Sequence, residues 1–444
     1  MSDHVSISHL HRHVGATVTL RGWLTHRRSK GKIQFLVLRD GSGICQCVLS
    51  AAGASPEAWK LCEDLTLESS LEVRGAVRKD DRAPGGHELA VEDLRAIHLI
   101  PESDPYPIQP KEHGIEFLLD HRHLWLRSSR QHAILRIRDE VAKACRDFMY
   151  DREFVLVDSP IFTPACCEGT STLFETDYFG TKAYLSQSGQ LYQEPACQAF
   201  GKAYCFGPTF RAEKSKTRRH LTEFWMIEPE VAFAGFEEIL ELAEDMVVSV
   251  VERCLERRAP ELKTLERDVS RLESVAKPFP RVTYDEAAVL LQSPEARVAA
   301  GETGGRPFEY GGDLGAADET FLGGKFDRPV FITHYPAHIK AFYMEPDPKD
   351  TSKALCFDLI APEGYGEIVG GSQRIHDHDL LLRRIQEHGL PREPLEWYLD
   401  ARRYGSVPHS GYGMGIERVV AWISGIHHLR EAIPFPRTLQ RLYP

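Results

Sequence analysis

Two apolar runs separated by a strongly cationic loop, within residues 205–230, constrain this chain more than any other feature. The first run ends at Phe210 and the second begins near Phe224. Against the single acid Glu213, the loop carries five cations: Arg211, Lys214, Lys216, Arg218 and Arg219. Apolar runs that enter and leave one loop predict a long antiparallel hairpin. Because arginine matches phosphate oxygens in bidentate fashion, the loop is a candidate phosphate site; a solvated basic turn is the alternative.

Two neighbouring features favour the phosphate site. Arg211 directly follows a predicted strand at residues 204–210, so a rigid element holds it. Phe224 and Trp225 begin the returning strand and offer an aromatic face on which a base can stack. A guanidinium beside a stacking ring at the mouth of a hairpin suits a nucleotide.

The pattern FRAE…RHLTEFWMIEPE across this hairpin resembles motif 2 of the class II aminoacyl-tRNA synthetases. The resemblance is closest to the subgroup that handles aspartate, asparagine and lysine. It implies that the adenine of ATP lies on Phe224 with Glu213 at the base edge. It also implies that Arg211 meets the α-phosphate and that His220 contributes at the γ-phosphate.

Size and composition bound the remaining possibilities. A chain of 444 residues predicts two or three domains, and 42% apolar with 27% charged residues is ordinary for a globular enzyme. No apolar run approaches about 18 residues, which argues against a membrane span. The first residues lack a signal-peptide core, and ten cysteines occur without a C-x-x-C pair. We therefore expect reduced thiols and a cytoplasmic location.

Alternating strands and Gly-bounded turns fill residues 1–100 and predict a small five-stranded OB-fold barrel. A cationic loop at residues 25–32 leads to Phe35 on the next strand. Cations beside a strand aromatic are typical of single-stranded nucleic-acid binding, although core packing is the alternative for a lone Phe. The resemblance covers this domain too and implies an anticodon reader, with Phe35 stacking on a base, Gln46 bonding a base edge, and Arg27 and Arg28 nearby.

Proline-rich residues 101–130 predict a semi-rigid hinge, and residues 131–444 a catalytic domain with an insertion at about 259–330. Residues 131–150 have helical apolar spacing, and a strand ending at Pro160 follows. A plain helix–strand pair is one interpretation. The segment also resembles class II motif 1, which implies a homodimer.

Residues 165–194 supply the groups expected around an amino-acid substrate. By resemblance, Glu168 and Gln190 hold the α-amino group, which needs carboxylate or carbonyl acceptors. Aspartate enzymes of the subgroup resemble SPQLYK at 188–193, with the lysine on the substrate carboxylate. This chain has SGQLYQ, so neutral Gln193 stands in the lysine position. An unpaired buried aspartate carboxylate would cost several kcal/mol, whereas asparagine carries no such charge.

Two further residues point to the same amino acid. Glu228 stands where aspartate enzymes usually carry the shorter Asp, and a carboxylate there would accept the amide N–H of asparagine and repel aspartate. A salt-bridged strand residue is the alternative. GGSQR at 370–374 resembles asparagine enzymes and implies that Arg374 donates to the side-chain carbonyl. The IHD that follows is shared with aspartate enzymes.

Asp358 and Glu367 lie on neighbouring predicted strand pieces, as a Mg²⁺–phosphate site requires, unless they are unrelated surface acids. By resemblance Glu367 binds the metal and Asp358 is a weaker second ligand. Gly370 stands where the family often has a serine. Residues 411–418, followed by IPFPR, resemble motif 3, with Arg418 on the γ-phosphate.

The resemblance implies an α+β fold, with an N-terminal OB-fold β-barrel and a class II synthetase antiparallel sheet with flanking helices. The expected activity is ATP- and Mg²⁺-dependent ligation of asparagine to tRNA(Asn) through an adenylate, in the manner of the bacterial asparagine enzymes. The alternatives are an aspartate enzyme, including one that charges two tRNAs, an RNA-binding paralogue with a dead site, and a free-asparagine synthetase.

Overall fold

The computed structural model describes residues 4–165, 167, 172–215, 217–302 and 307–444. The chain divides into two compact units, Met1–Leu118 and Leu119–Pro444. The division falls inside the predicted hinge, because residues after 118 pack within the second unit. Arg122, for example, is fully buried and donates to the backbone oxygen of Ile433 at 2.8 Å. The second unit therefore begins ahead of the boundary predicted at residue 131.

The first unit is a closed barrel with strand order β1-β2-β3-β5-β4. Alternate apolar side chains fill its interior, among them Leu20, Leu36 and Leu71, all fully buried. This confirms the OB-type barrel. Its elements are β1 Thr17–Lys30, β2 Ile33–Arg39, β3 Ile44–Ser50, α1 Pro56–Asp64, β4 Ser70–Lys79 and β5 His87–His98, with 3-10 turns at Ile7–Arg12 and Pro84–Gly86.

Strand β1 is longer than predicted and includes the basic segment that the sequence placed in a loop. Its pairing with β2 continues to Lys30, opposite Ile33, so that only Gly31 and Lys32 form the turn. The prediction of a cationic loop was wrong because backbone pairing with the apolar β2 outweighs the low strand propensity of the basic residues.

The helices that follow are α2 Ile115–Asp120, α3 Arg122–Trp125, α4 Ser129–Asp151, α5 Gln190–Phe200, α6 Phe236–Arg257, α7 Ala259–Thr264, α8 Ser270–Glu273, α9 Tyr284–Leu291, α10 Pro294–Glu302, α11 Ala316–Gly323, α12 His378–Glu387, α13 Glu396–Arg403 and α14 Ile416–Ser424. Further 3-10 turns lie at Glu393–Leu395 and Leu429–Glu431. The strands of the second unit are β6 Val155–Leu156, β7 Phe162–Thr163, β8 Glu175–Tyr178, β9 Thr181–Leu185, β10 Lys202–Phe210, β11 Glu223–Ala232, β12 Arg281–Thr283, β13 Val330–Thr333, β14 Pro346–Asp347, β15 Asp350–Ala354, β16 Cys356–Ala361, β17 Gly366–Arg374 and β18 His409–Gly415.

An eight-stranded sheet organises this unit, in the order β12-β13-β16-β17-β18-β11-β10-β6. Its six central strands pair antiparallel, as predicted, and only the short edge strands β12 and β6 pair parallel to their neighbours. Helices α4, α6 and α14 share one apolar core with the sheet, which includes Ile137, Val247 and Trp422. Strand β11 of motif 2 and strand β18 of motif 3 lie side by side in the interior of the sheet.

Local sequence explains the ends of these helices. The hydroxyl of Ser128 caps α4 by accepting from the backbone N–H of Gln131 at 3.2 Å. Helix α14 ends at Gly425, whose φ of 70° a residue with a Cβ adopts only with strain.

The predicted insertion at 259–330 is integrated into the second unit. It contributes the edge strand β12 and helix α11. Among the described residues, no helix combines the length and apolar character that a bilayer crossing requires. The nine cysteines in this part of the chain are all buried and outside any disulfide.

Candidate active site

Strands β10 and β11 form the predicted hairpin, in register from Lys202 opposite Val231 to Phe210 opposite Glu223. Arg211 directly follows β10, and its backbone N–H donates to the oxygen of Thr222 at 3.0 Å. The guanidinium carbon of Arg211 lies 5.5 Å from the centre of the Phe224 ring. The hairpin thus places a cation beside an aromatic face, as the sequence predicted.

A cleft of about 670 Å³ opens over this hairpin and is lined by residues of motif 2, of strand β17 and of motif 3. Its lining includes every residue predicted to bind ATP: Arg211, Glu213, His220, Phe224, Glu367 and Arg418. Gly413 and Gly415 of β18 complete one wall. A Cβ on Gly413 would lie 2.3 Å from the Met226 methyl carbon, so a larger residue here would displace the end of that flexible side chain.

Glu213 and His220 face each other across the hairpin loop. Nε2 of His220 lies 3.3 Å from Oε2 of Glu213, while its Nδ1 lies 3.1 Å from the Ser215 hydroxyl. The hydrogen bond from His220 holds the pKa of the Glu213 carboxyl below its usual range, against the opposing effect of burial. Glu213 is therefore an ionised acceptor, suited to an amino group on a base edge.

Arg418 lies in the first turn of α14 and joins motif 3 to strand β17. Its Nη1 lies 2.6 Å from the backbone oxygen of Glu367 and 3.3 Å from the Glu367 carboxylate. The side chains of both residues keep part of their surface exposed to the cleft, 27% for Arg418 and 37% for Glu367. A guanidinium fixed in this way can donate its remaining N–H groups to a phosphate.

Asp358 on β16 and Glu367 on β17 approach each other over Gly370. A Cβ at position 370 would lie 2.7 Å from Oε1 of Glu367 and 3.6 Å from Oδ1 of Asp358. Burial raises the pKa of Glu367 to about 7, and the Asp358 carboxylate adds to the rise. A divalent cation between these two carboxylates would relieve the repulsion between their charges.

The donor set fits Mg²⁺ better than a transition metal. The described residues contain no group of three or more His, Cys, Asp or Glu side chains arranged to hold a metal by themselves. Mg²⁺ needs no such group, since it binds through one or two carboxylates and takes its other ligands from phosphates and water. One feature weakens the second ligand: Nζ of Lys340 lies 3.0 Å from Oδ2 of Asp358.

A second cleft of about 1560 Å³ adjoins the first, and Arg211, Met226, Glu367 and Gly413 line both. Gln190, Glu228 and Arg374, predicted to hold the amino acid, all line this second cleft. Glu168 lies outside the described residues. A group bound at Arg211 therefore stands at the junction between the two clefts.

Glu228 is a buried carboxylate whose oxygens are both held by the turn that precedes α5. Oε2 accepts the backbone N–H of Gly189 at 2.8 Å, and Oε1 accepts the hydroxyl of Ser188. The thiol of Cys205 lies 3.4 Å from Oε2. Glu228 is therefore a buried hydrogen-bond acceptor in the wall of the second cleft.

Arg374 lies in the cleft wall as predicted, but the sequence did not identify its partner. The guanidinium forms a two-pronged ion pair with Glu230, from Nε to Oε1 at 3.0 Å and from Nη2 to Oε2 at 3.0 Å. Nη1 donates to the Ser372 hydroxyl at 2.7 Å. Of five N–H donors, three are used in these bonds, which leaves two for a substrate carbonyl. Glu228 and Glu230 are two residues apart on one strand and therefore share a face. This spacing could have indicated that Glu230 also lies near the amino-acid residues.

Gln193 is not among the residues that line the cleft. Its amide is fully buried and donates to the backbone oxygen of Val157 at 2.7 Å and to the Ser159 hydroxyl at 3.0 Å. Ser159 lies in turn 3.3 Å from the oxygen of Gly189, beside Glu228. Any influence of Gln193 on the choice between asparagine and aspartate would therefore be indirect, through Ser159 and the turn at Gly189.

Two residues of the cleft come from regions where the sequence suggested no candidates. Glu319 on α11 accepts the backbone N–H of Glu367 at 3.3 Å and pairs with Arg219 of the cationic loop at 3.3 Å. Arg219 is thus a link to α11, not an exposed cation. Lys340 is a lysine within the cleft, but its charge is directed to Asp358 and to Asp313, 3.4 Å away, both of which are carboxylates.

In the barrel unit, the predicted nucleic-acid residues divide between two faces. Phe35 is half-exposed on β2, outside the apolar core, and the guanidinium carbon of Arg28 lies 4.4 Å from its ring centre. Gln46 points to the same face, opposite Val37, and donates to Glu88 at 3.2 Å. The core interpretation of Phe35 is therefore wrong, and Phe35, Arg28 and Gln46 share one surface.

Arg27 does not join that surface. It pairs with the inward-facing Leu36, and its Nη1 donates to the backbone oxygens of Cys62 and Glu63 at the end of α1. A cation is stabilised at a helix C-terminus because the carbonyl groups there have no partner within the helix. Arg27 acts as a helix cap in this structure, and the prediction that placed it beside Arg28 needs this correction.

Comparison with known proteins agrees with this geometry. Residues 114–439 match the family model of class II tRNA synthetases (D, K and N), and residues 18–97 match that of an OB-fold nucleic acid binding domain. The asparagine--tRNA ligase of Koribacter versatilis is 57% identical over 439 residues, which cover 99% of this chain and 98% of that protein. The asparagine--tRNA ligase of Chloroflexus aurantiacus is 58% identical over 440 residues, with the same coverage.

Solved structures give the same result. The asparaginyl-tRNA synthetase of Pyrococcus horikoshii, in a crystal structure with asparaginyl-adenylate, is 44% identical to this chain with a TM-score of 0.91. The match covers 98% of this chain and 97% of that one.

Proposed function

The chain belongs to the class II tRNA synthetases of the D, K and N group, and we propose on this basis that it ligates asparagine to tRNA(Asn) with ATP. The reaction has two steps, formation of asparaginyl-adenylate with release of pyrophosphate and transfer of the asparaginyl group to tRNA. Full-length relatives that are named asparagine--tRNA ligases support this assignment.

One observation carries the adenylation step: Arg211 lines both clefts. A guanidinium at the junction of a nucleotide cleft and an amino-acid cleft can bind the α-phosphate where the amino-acid carboxylate must attack. The attack is in line, with pyrophosphate leaving toward Arg418. Positioning and stabilisation of developing negative charge supply most of the rate, so that no covalent intermediate with the protein is needed.

The amino-acid cleft favours asparagine over aspartate. Glu228 is a buried acceptor, and the unused N–H groups of Arg374 are donors. A carboxamide offers one donor and one acceptor group and can satisfy both residues. An aspartate carboxylate would face the Glu228 carboxylate in a buried site, which costs binding energy. In the same cleft, the side-chain amide oxygen of Gln190 accepts a hydrogen bond from the α-ammonium group of the substrate, and Glu168 accepts another.

We also propose that Mg²⁺ binds with ATP at Glu367, with Asp358 as a weaker ligand. The cation would neutralise charge on the phosphates during the reaction. Support comes from the approach of the two carboxylates over Gly370. Burial, and after it the charge of Asp358, raises the pKa of Glu367. The proposal predicts that chelation with EDTA abolishes adenylate formation and that added Mg²⁺ restores it.

A homodimer is proposed from the surface beside motif 1. Leu156, Ile161 and Phe162 follow α4 and leave 39%, 42% and 51% of their surfaces exposed. The ring of Phe162 contacts that of Tyr178 at 5.6 Å, which joins strands β7 and β8 into one aromatic surface. Exposed apolar clusters of this kind mark protein interfaces. Phe162→Glu should convert a dimer to a monomer in sedimentation analysis.

The barrel surface with Phe35, Arg28 and Gln46 is proposed to read the tRNA anticodon. Aromatic stacking flanked by a guanidinium is a common mode of single-strand recognition. Because tRNA charging takes place where ribosomes work, a cytoplasmic location follows as part of the proposal.

The experiment that tests this function is aminoacylation with labelled amino acid, ATP and total tRNA. Asparaginyl-tRNA should form with asparagine, and no aspartyl-tRNA should form with aspartate. Equal charging with aspartate would favour the aspartate enzyme, including one that charges two tRNAs. Asparagine formed from aspartate and ammonia without tRNA would favour a free-asparagine synthetase, and the absence of any ATP turnover would favour a dead paralogue.

A further inference from the structure

A fully buried carboxylate lies directly behind the proposed α-amino ligand. Nε2 of Gln190 is 3.1 Å from Oε1 of Glu194, one helical turn later on α5. Gln190 lines the amino-acid cleft, whereas Glu194 is completely enclosed by protein. The two residues therefore form a wall of the cleft and the support behind it.

Three more donors surround Glu194. Tyr398 Oη lies 2.7 Å from Oε1, His409 Nε2 lies 3.0 Å from Oε2, and Arg402 forms an ion pair with Oε2. Burial alone would raise the pKa of Glu194, but Arg402 and His409 outweigh it and hold that pKa far below its usual range. Glu194 is therefore an ionised carboxylate, which accepts hydrogen bonds and cannot donate them.

This charge determines how the Gln190 amide is oriented. The oxygen and nitrogen of an amide are assigned from the hydrogen bonds around them, and here the partner can only accept. The NH₂ group must consequently face Glu194, which leaves the amide oxygen for the cleft. An oxygen there attracts an ammonium group, whereas an NH₂ group would repel it.

We propose that Glu194 is a positioning residue for amino-acid binding, which fixes the Gln190 amide with its oxygen toward the α-ammonium of asparagine. The inference rests on the proposed function and extends it. Glu194 also joins three elements, because Gln190 belongs to α5, Arg402 to α13 and His409 to β18. The amide orientation is thus set by the tertiary fold and not by α5 alone.

Glu194→Gln tests the role, since a neutral amide at 194 can accept or donate and no longer dictates the orientation of Gln190. In asparagine-dependent ATP–pyrophosphate exchange, the KM for asparagine should rise about tenfold or more, the effect of one lost hydrogen bond to a charged group. The kcat and the KM for ATP should stay within about twofold, since uniform binding of substrate and transition state is lost.

Glu140→Gln is the matched control. Glu140 is also a buried carboxylate with two arginine partners, Arg253 at 2.6 Å and Arg258, but it lies on α4 and lines neither cleft. The control should lower the thermal midpoint and leave the KM for asparagine unchanged. A rise in asparagine KM in the control as large as that of Glu194→Gln would show a general effect of destabilisation and overturn the proposal.

A double-mutant cycle with Gln190→Ala separates positioning from a general structural role. If Glu194 acts through Gln190, adding Glu194→Gln to Gln190→Ala should raise the asparagine KM by less than twofold further. Multiplicative effects of the two changes would overturn the proposal. If Glu194→Gln does not fold, the pair Glu194→Gln with Arg402→Met removes both charges together and is measured in the same cycle. A normal asparagine KM in that variant would likewise overturn the role.

Exchange by the wild-type protein separates a failure of the proposed function from a failure of the positioning role. A wild type without asparagine-dependent exchange would contradict the proposed function itself. An active wild type whose Glu194→Gln variant keeps its asparagine KM would contradict only the positioning role.

Discussion

Arg211 and Phe224 stand at opposite ends of the loop in one β-hairpin, with the guanidinium carbon 5.5 Å from the ring centre. The strand register explains this proximity, because Thr209 pairs with Phe224 and Arg211 lies two residues beyond Thr209. A base stacked on the ring and a phosphate on the guanidinium are thereby held at a fixed separation. The hairpin thus supplies both groups that the proposed nucleotide site requires at this position.

Arg211→Ala should lower the rate of ATP–pyrophosphate exchange by about 10² to 10³, the range for loss of one transition-state charge donor. The thermal midpoint should change little, since the guanidinium lines the clefts and is not part of the apolar core. Lys214→Ala is the control, because Lys214 is an exposed cation of the same loop that lines neither cleft. Near-normal exchange in Arg211→Ala would remove this residue from its role.

Glu228→Gln should reduce the preference for asparagine over aspartate by about 10²-fold in kcat/KM. The neutral side chain no longer repels a substrate carboxylate, and its NH₂ group competes with that of asparagine. Exchange rates with each amino acid measure the ratio. Glu223→Gln, on the same strand but outside both clefts, should keep the wild-type ratio. An unchanged ratio in Glu228→Gln would place amino-acid discrimination elsewhere.

Arg27 and Arg28 are adjacent in sequence and should behave differently. Arg28→Ala, like Phe35→Ala, should raise the KM for tRNA by about tenfold, because stacking on a base contributes about 1–3 kcal/mol. Asparagine-dependent exchange without tRNA should be unaffected. Arg27→Ala should instead lower the thermal stability of the barrel, because it removes a cation from the C-terminal end of α1. Equal effects of both arginines on tRNA binding would contradict the division between two faces.

Glu345 predicts a pH dependence of stability. Burial raises the pKa of Glu345 to about 7, while an unfolded glutamate titrates near about 4.3. Between these values the folded protein binds more protons than the unfolded chain, so this residue lowers stability as pH rises through about 4.5 to 7. Glu345→Gln should therefore gain about 2–3 kcal/mol relative to wild type between pH 5 and pH 8 in urea unfolding. A mutational difference that is the same at both pH values would show that Glu345 does not titrate in this window.

Local patterns predicted much of the fold, and the residues they assigned to ATP binding line one cleft. The hairpin and the helix at 131–150 follow from apolar spacing within single segments, and the residues of motif 2 lie close together along the chain. Glu319 could not be found in this way, since it reaches Arg219 and Glu367 from a helix in a different region. Its position depends on tertiary packing that no short pattern encodes.

The inward or outward direction of the side chains along β1 is a second feature that could not be predicted from the sequence. Val18, Leu20 and Leu24 point inward, and simple alternation from them would turn Arg28 inward and Arg27 outward. A register shift between Leu24 and His26 reverses the phase, so that Arg28 pairs with the outward Phe35. An irregularity of one residue therefore decides which arginine shares a face with Phe35, and no sequence pattern predicted it.

The central claim is that this protein activates asparagine at the junction of the two clefts. ATP–pyrophosphate exchange by the purified wild-type protein, measured in parallel with asparagine and with aspartate, tests it most directly. The account predicts rapid exchange with asparagine and at least 10²-fold lower kcat/KM with aspartate, since Glu228 repels a second carboxylate. Exchange that is equal with the two amino acids, or faster with aspartate, would contradict it.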